Sequence, residues 1–256
     1  MKVGYYKHPE GAGNFGDEVG PAIASAMLGR EVEATEFMEP VLFTVGSVCH
    51  NLIAGCHIWG SGILKYHINT TDFQVHAVRG PRTERFLRGI IDLPETVAWG
   101  DPALLLPDFY QPTIRPELSD KIGFVPHWSW WDKYWSQAEE LEIFYDIHLI
   151  NPTDSWKSVV DQIASCNRII SSSLHGLIVA DAYGIPNLWL AQDLADHQPQ
   201  LKFADYFESI SRPMDSETDL ESAASVDTSF YWSGGATALD LQPLRDSFPH
   251  HLFSEE

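Results

Sequence analysis

Apolar runs alternate with helical spacings along this 256-residue chain, a pattern that predicts βαβ units and a parallel sheet. Lys2 to Tyr6 predicts a short first strand, followed by a glycine-rich loop from His8 to Asp17. Val19 to Leu28 has the spacing of a helix. Val41 to Val45 predicts a strand ending at Gly46-Ser47, and His57 to Trp59 another that runs into Gly60-Ser61-Gly62. Phe73 to Val78 alternates and stops at Arg79-Gly80-Pro81, after which Thr83 to Ile91 predicts a helix. Gly100-Asp101-Pro102-Ala103 opens a segment that closes near Pro107.

Pro107, Pro112 and Pro116 give the following stretch the composition of a linker. Beyond it the alternation restarts. Strands are predicted over Lys121–Val125, Ile147–Asn151, Arg168–Ser171 and Asn187–Leu190, with helices over Ser155–Ser165 and Leu174–Tyr183. Two similar halves on either side of a proline-rich joint predict an α/β fold of two Rossmann-like lobes with parallel sheets, residues 1–116 and 117–256, and a cleft between them. The second lobe ends in a polar, acidic tail from Asp215 to Gly235, and Leu239 to Leu244 predicts a last short helix.

Composition narrows the class. Hydrophobic residues make up 44%, enough for a substantial core, and no apolar run reaches the roughly 20 residues that span a bilayer. The N-terminus enters a strand pattern with no signal-peptide core, so the expected location is the cytoplasm. Thirty-six acids against 16 bases give a formal charge of −20, which disfavours nucleic acid and anionic lipid as partners. Three cysteines, Cys49, Cys56 and Cys166, in apolar segments and without C-x-x-C spacing argue against disulfides and structural zinc, and the other histidines show no metal-ligand spacing.

Against this acidic background four arginines, Arg79, Arg82, Arg85 and Arg88, fall within ten residues. Arg85 and Arg88 read as a helix face paired with Glu84. Arg79, at a strand end, reads as an anion ligand, because a guanidinium forks onto carboxylate or phosphate. The segment Ser171-Ser172-Ser173-Leu174-His175-Gly176 joins a strand to an apolar helix; its serines can cap the helix, and the same N–H groups make an anion site beside His175. Asn14 and Asp17 enter a helix from the glycine-rich loop, which lacks the dinucleotide G-x-G-x-x-G spacing, and read equally as a helix cap or as a cleft floor. His127 and Trp128 begin an aromatic run at the mouth of a strand, where an exposed indole can stack on a sugar face. Trp131 and Trp135, four apart, have the spacing of a helix packing into the core.

Taken together, Gly13-Asn14-Phe15-Gly16-Asp17, Gly60-Ser61-Gly62, Val78-Arg79-Gly80-Pro81, Gly100-Asp101-Pro102-Ala103, Gly123-Phe124-Val125-Pro126-His127, Ser172-Ser173-Leu174-His175-Gly176 and Lys202-Phe203-Ala204-Asp205-Tyr206 occur in an order that resembles the polysaccharide pyruvyl transferase family. The Pro126-His127 and Ser-Leu-His pieces are most similar to the exopolysaccharide branch that decorates acidic bacterial polymers such as succinoglycan. The resemblance implies a GT-B-like pair of lobes. It also implies transfer of pyruvate from phosphoenolpyruvate, as donor substrate and with no cofactor, onto two hydroxyls of a free or carrier-linked sugar acceptor, forming a cyclic ketal. Donor-binding roles carry over to Arg79 and His175. Some members have an arginine where this chain has Ser173; Lys202, Arg82 or the helix N-terminus is then expected to replace the missing charge.

In the mechanism so implied, His175 protonates the donor and Asp17 or His127 deprotonates the acceptor. Arg79 holds the donor carboxylate or phosphate, and the Ser171–Ser173 N–H groups, Ser172 and Ser173 among them, hold the other anionic end. Two rival readings stand beside it. One is a GT-B glycosyltransferase that uses a nucleotide sugar; the other is a non-catalytic carbohydrate-binding relative.

Overall fold

The apolar runs become two all-parallel sheets. The computed structural model describes residues 1–6, 13–191, 199–235 and 239–254, so residues 8–12 of the glycine-rich loop lie outside the described residues. The first half contains β1 (Lys2–Gly4), α1 (Phe15–Leu28), β2 (Ala34–Thr35), β3 (Val41–Phe43), β4 (Cys56–Trp59), β5 (Phe73–Val78), α2 (Pro81–Arg88), β6 (Ala98–Trp99) and α3 (Leu106–Phe109). Its strands pair in the order β2-β1-β3-β4-β5-β6. The second half contains β7 (Ile122–Val125), α4 (Trp131–Trp135), α5 (Ala138–Tyr145), β8 (Ile147–Leu149), α6 (Trp156–Ser165), β9 (Arg168–Ser171), α7 (Leu174–Ala182), β10 (Asn187–Leu190), α8 (Pro199–Ser209), β11 (Ser216–Glu217) and α9 (Leu220–Ser225). Its order is β11-β10-β9-β7-β8. A final helix, α10 (Gln242–Asp246), follows.

Central strands such as β3, β4, β7 and β10 are buried at every position, which is why they read as continuous apolar runs rather than as alternation. One apolar cluster runs between the halves, joining Phe15, Val19 and Trp59 to Val125, Ile163, Leu177 and Phe203. Backbone contacts cross with it: Phe15 N–H donates to Pro152 O at 3.1 Å, and Trp156 N–H donates to Glu18 Oε2 at 3.2 Å. The proline-rich segment is also anchored. Thr113 N–H and the Tyr110 hydroxyl both donate to Asp161 Oδ1, and Arg115 N–H donates to Ser165 Oγ. The end of the chain returns to the first sheet, where Trp59 Nε1–H donates to Leu244 O at 2.9 Å and the Trp59 and Phe248 rings meet edge to face.

The aromatic run differs from expectation. Trp131 and Trp135 do not enter the core; they stack on each other at 5.5 Å with Trp135 exposed, and α4 buries Tyr134 instead. Trp131 and Trp135 share one face of the helix, but Tyr134 takes the inward position against Phe124 and leaves that face outside the core.

The deepest polar contact between the halves is an ion pair. Arg79, at the end of β5, and Asp205, on α8, are both fully buried. Asp205 Oδ2 accepts from Arg79 Nε at 3.1 Å and from Thr83 Oγ1 at 2.7 Å, while Oδ1 accepts the N–H groups of Arg82 and Thr83 at 2.9 Å each. Gly80 has no side chain with which to cap α2, so Asp205 serves as a cap from another element. On the surface nearby, Arg82 and Arg85 pair with Glu208, and Arg88 pairs with Glu84 one turn away.

Removing one partner of a buried pair strands the other charge, so Asp205→Ala is expected to lower unfolding stability by about 3–5 kcal/mol. Glu208→Ala, which loses only exposed pairs, is expected to cost less than about 1 kcal/mol. Urea unfolding of the two variants beside the parent checks both values.

Candidate active-site cleft

A cleft of about 800 Å³ opens where the carboxyl ends of both sheets meet. Every loop that lines it leaves a strand or starts a helix: Tyr6 after β1, Asn14 and Asp17 at the start of α1, Gly46 to Val48 after β3, Leu64 and Lys65 after β4, His127 to Ser129 after β7, and Ser173 to His175 after β9. Lys202 reaches it from α8. The cleft thus gathers His175, Asp17, His127, Asn14, Ser173, Lys202 and Trp128 from four separate segments of the sequence.

Asn14 caps α1, its Oδ1 accepting Gly16 N–H, and its Nδ2 donates to Asp17 Oδ2 at 2.7 Å. Asn14 and Asp17 are therefore both a cap and a part of the cleft wall. Asp17 is buried, and burial pushes its carboxyl up to about 7 against the lowering effect of the Asn14 hydrogen bond and of Lys202. Lys202 is lowered to about 8 by burial and by the Arg79 guanidinium.

His175 lies in the first turn of α7 and meets the edge of Phe15. A Cβ at Gly16 would stand 2.2 Å from His175 Nδ1, so a residue without a side chain is required there. Burial, then Arg79 and Lys202, hold the His175 imidazole down at about 3, so the ring is neutral at pH 7. His127 is also lowered to about 3, by burial and Lys202. Its Nδ1 accepts from the Ser129 N–H and hydroxyl, which leaves the proton of the neutral ring on Nε2. His127 in that tautomer presents a hydrogen-bond donor at Nε2.

Three expected ligands sit elsewhere. Arg79 lies behind the cleft wall, where its guanidinium donates to Asp205, to Ile63 O and to Ser47 Oγ; Ser47 is the residue at the surface. Arg82 faces Glu208. Ser172 supports the loop, its Oγ accepting His127 N–H at 2.9 Å. The backbone donors also shift by one position. Ser172 N–H is taken by Val125 O and Ser173 N–H by Ser171 Oγ, and Ser173 places no side-chain cap on α7. The donors without an intrahelical acceptor are then the first-turn N–H groups of Leu174, His175 and Gly176.

Sequence reasoning missed Ser47, His50 and Lys65 as lining residues and gave Asp101 no role of its own. Asp101 is fully buried, with Oδ1 accepting Ala103 N–H at 3.0 Å and Oδ2 standing 3.8 Å from His175 Nε2. Among the described residues no group of three or more His, Cys, Asp or Glu is arranged to hold a metal, and no helix is long and apolar enough to cross a membrane.

The sequence profile described as polysaccharide pyruvyl transferase matches residues 54–193. Uncharacterized protein L143 of Acanthamoeba polyphaga mimivirus is 30% identical over 205 residues, covering 75% of this chain and 69% of that protein. Succinoglycan biosynthesis protein ExoV of Rhizobium meliloti is 26% identical over 263 residues, covering 95% and 76%. No solved structure gives a significant match.

A carboxyl raised in the folded state makes folding pH-dependent. Between about pH 4 and 7 folded Asp17 keeps a proton that the unfolded chain has lost, so its contribution to stability falls as pH rises through that window. Asp17→Asn removes this dependence. The variant is expected to gain on the parent from pH 4.5 to pH 8, by on the order of 3 kcal/mol at most. Thermal melts at the two pH values measure the gain.

Proposed function

Because the chain belongs to the polysaccharide pyruvyl transferase family, we propose that it transfers pyruvate from phosphoenolpyruvate to two hydroxyls of one sugar in a polysaccharide or its precursor, closing a cyclic ketal. The observation that carries the donor assignment is electrostatic. In a chain of net charge −20, the cleft holds Lys202 lowered to about 8 by burial and then by the buried Arg79 guanidinium, and it presents the first turn of α7 beside them. An anion at that point relieves the repulsion between the two cations and satisfies open N–H donors. A volume of about 800 Å³ leaves room for a saccharide beside a three-carbon donor.

The residues supply a balanced sequence of steps. Protonation of the donor at C3 makes C2 electrophilic. A sugar hydroxyl bonds to C2, the C2–O bond breaks, and phosphate leaves with the bridging oxygen. The second hydroxyl then closes the ketal. One hydroxyl proton ends on phosphate, and the other restores the acid.

His175 is the acid. Burial first, then Arg79 and Lys202, hold it neutral, and a bound phosphate dianion offsets the two cations and favours the charged ring. Asp17, poised at about 7, is the base for the acceptor hydroxyl. His127 donates from Nε2 to a donor or acceptor oxygen, and Trp128, at the rim, stacks on the sugar. Arg79 acts through Ser47 and through its field, not by direct contact. In this reading the two sheets are GT-B-like lobes, and the reaction is cytoplasmic.

Titration calorimetry tests the donor. Phosphoenolpyruvate is expected to bind the parent, and Lys202→Ala is expected to weaken it about 10- to 100-fold, as loss of a charge-assisted contact does. Binding of uridine diphosphate in place of phosphoenolpyruvate would favour a nucleotide-sugar glycosyltransferase. Once an acceptor is in hand, phosphate release by His175→Gln is expected to fall by about 10²- to 10⁴-fold. Turnover near that of the parent would remove His175 from the acid role.

A further inference from the structure

We propose that Asp101 is the positioning residue of His175: its protonated carboxyl donates a hydrogen bond from Oδ2 to Nε2 inside the protein, fixing the neutral imidazole as the tautomer whose Nδ1–H faces the cleft. The inference rests on the transfer reaction proposed above for its kinetic consequence, and on geometry alone for the tautomer.

The geometry has three parts. First, among the described residues Asp101 Oδ2 and His175 Nε2 are both buried polar atoms without a hydrogen-bond partner, and they face each other at 3.8 Å. Two such orphans left side by side are costly unless one gives a hydrogen to the other. Second, Nε2 is closed off from solvent, so Nδ1, on the side where the backbone of Gly16 and the cleft lie, is the nitrogen through which the ring can reach a ligand. Third, Asp101 is held firmly. Its Oδ1 is fixed by Ala103 N–H, and Pro102 follows it into a short 3-10 turn. That turn packs against Gly60, where an added Cβ would stand 2.2 Å from Pro102 Cδ. The Gly60-Ser61-Gly62 and Gly100-Asp101-Pro102 pieces of the sequence thus meet to set one carboxyl behind one imidazole.

Charge states agree. Burial raises Asp101 to about 7 while Arg79 acts to lower it, and His175 sits at about 3, so the resting proton of the pair belongs to the carboxyl. The charged and titratable groups around the pair are Arg79, Lys202, Asp205, Tyr206 and Asp17. A donor anion beside Lys202 reverses the preference. The proton then leaves Asp101 Oδ2 for Nε2, Nδ1–H passes to donor C3, and Nδ1 later takes the proton of the closing hydroxyl while Nε2–H returns to Asp101. No proton is gained or lost over the cycle. The 3.8 Å separation is long for a hydrogen bond, as such contacts are before a ligand draws charge onto the ring.

The test reads the imidazole directly. In the parent, labelled with ¹⁵N-histidine and without ligand at pH 6, His175 is expected to show one neutral tautomer protonated at Nδ1. An averaged or Nε2-protonated ring would overturn the proposal. Asp101→Asn keeps an oxygen for Ala103 N–H, and Asp101→Ser does the same if the first variant folds poorly. Either is expected to change the His175 ¹⁵N shifts and to lower kcat for phosphate release about 10²- to 10⁴-fold. Affinity for phosphoenolpyruvate is expected to stay within about threefold of the parent, because the carboxyl does not touch the donor. Unchanged shifts and unchanged kcat would refute the assignment. Failure of the parent to bind phosphoenolpyruvate would instead count against the pyruvyl transfer reading and leave the tautomer result standing.

Discussion

Asp205 ties the molecule together. Its carboxylate neutralises Arg79, receives the Thr83 hydroxyl and caps the N-terminus of α2, all from a helix that belongs to the other half of the chain. A buried guanidinium without that partner would be untenable. The same helix, three residues earlier, carries Lys202 to the cleft wall. One contact therefore sets both the relation of the halves and the charge of the site. It explains how a strongly acidic protein keeps a place for an anion: the cations are few and fixed, and they are shielded from the acidic exterior by burial.

In the reaction proposed above, the cleft works by displaced protonation. Asp17 and Asp101 are held near neutrality by burial, while His127 and His175 are held uncharged by burial and by nearby cations. Proton donors and acceptors thus stand in pairs with separated affinities, and in that proposal the arrival of negative charge redistributes protons among them. This gives the cationic pair Arg79 and Lys202 two tasks at once. In the proposed reaction they attract the donor anion, and until it comes they add to the burial that keeps His175 from charging.

Much of this was legible in the sequence where a single element carried the signal. The strands over Arg168–Ser171 and Asn187–Leu190 fall where they were read, because they lie in the interior of the sheet and are mostly buried, and Phe73–Val78 was legible as alternation because only part of it is buried. The two-residue strands β2, β6 and β11 left no periodic trace, since backbone pairing alone defines them. The helix α8 was visible only as the motif around Lys202 and Asp205, its alternation being weak. Asn14, Asp17, His127, Trp128, Ser173, His175 and Lys202 announced themselves by lying at strand ends or in motifs, and they do line one cleft. Arg79 sent the same signal and is buried. Its fate depends on a carboxylate 126 positions away, which no local pattern encodes. Asp101 was quoted as part of a motif, yet its meaning lies in a contact with His175 that only the fold brings about.

The most direct test of the central claim is a crystal structure of the protein with phosphoenolpyruvate bound. The account predicts the phosphate at the first turn of α7, within hydrogen-bond reach of Lys202, with C3 of the donor facing His175 Nδ1. A donor bound away from α7 and Lys202, or with its C3 turned from His175, would contradict it.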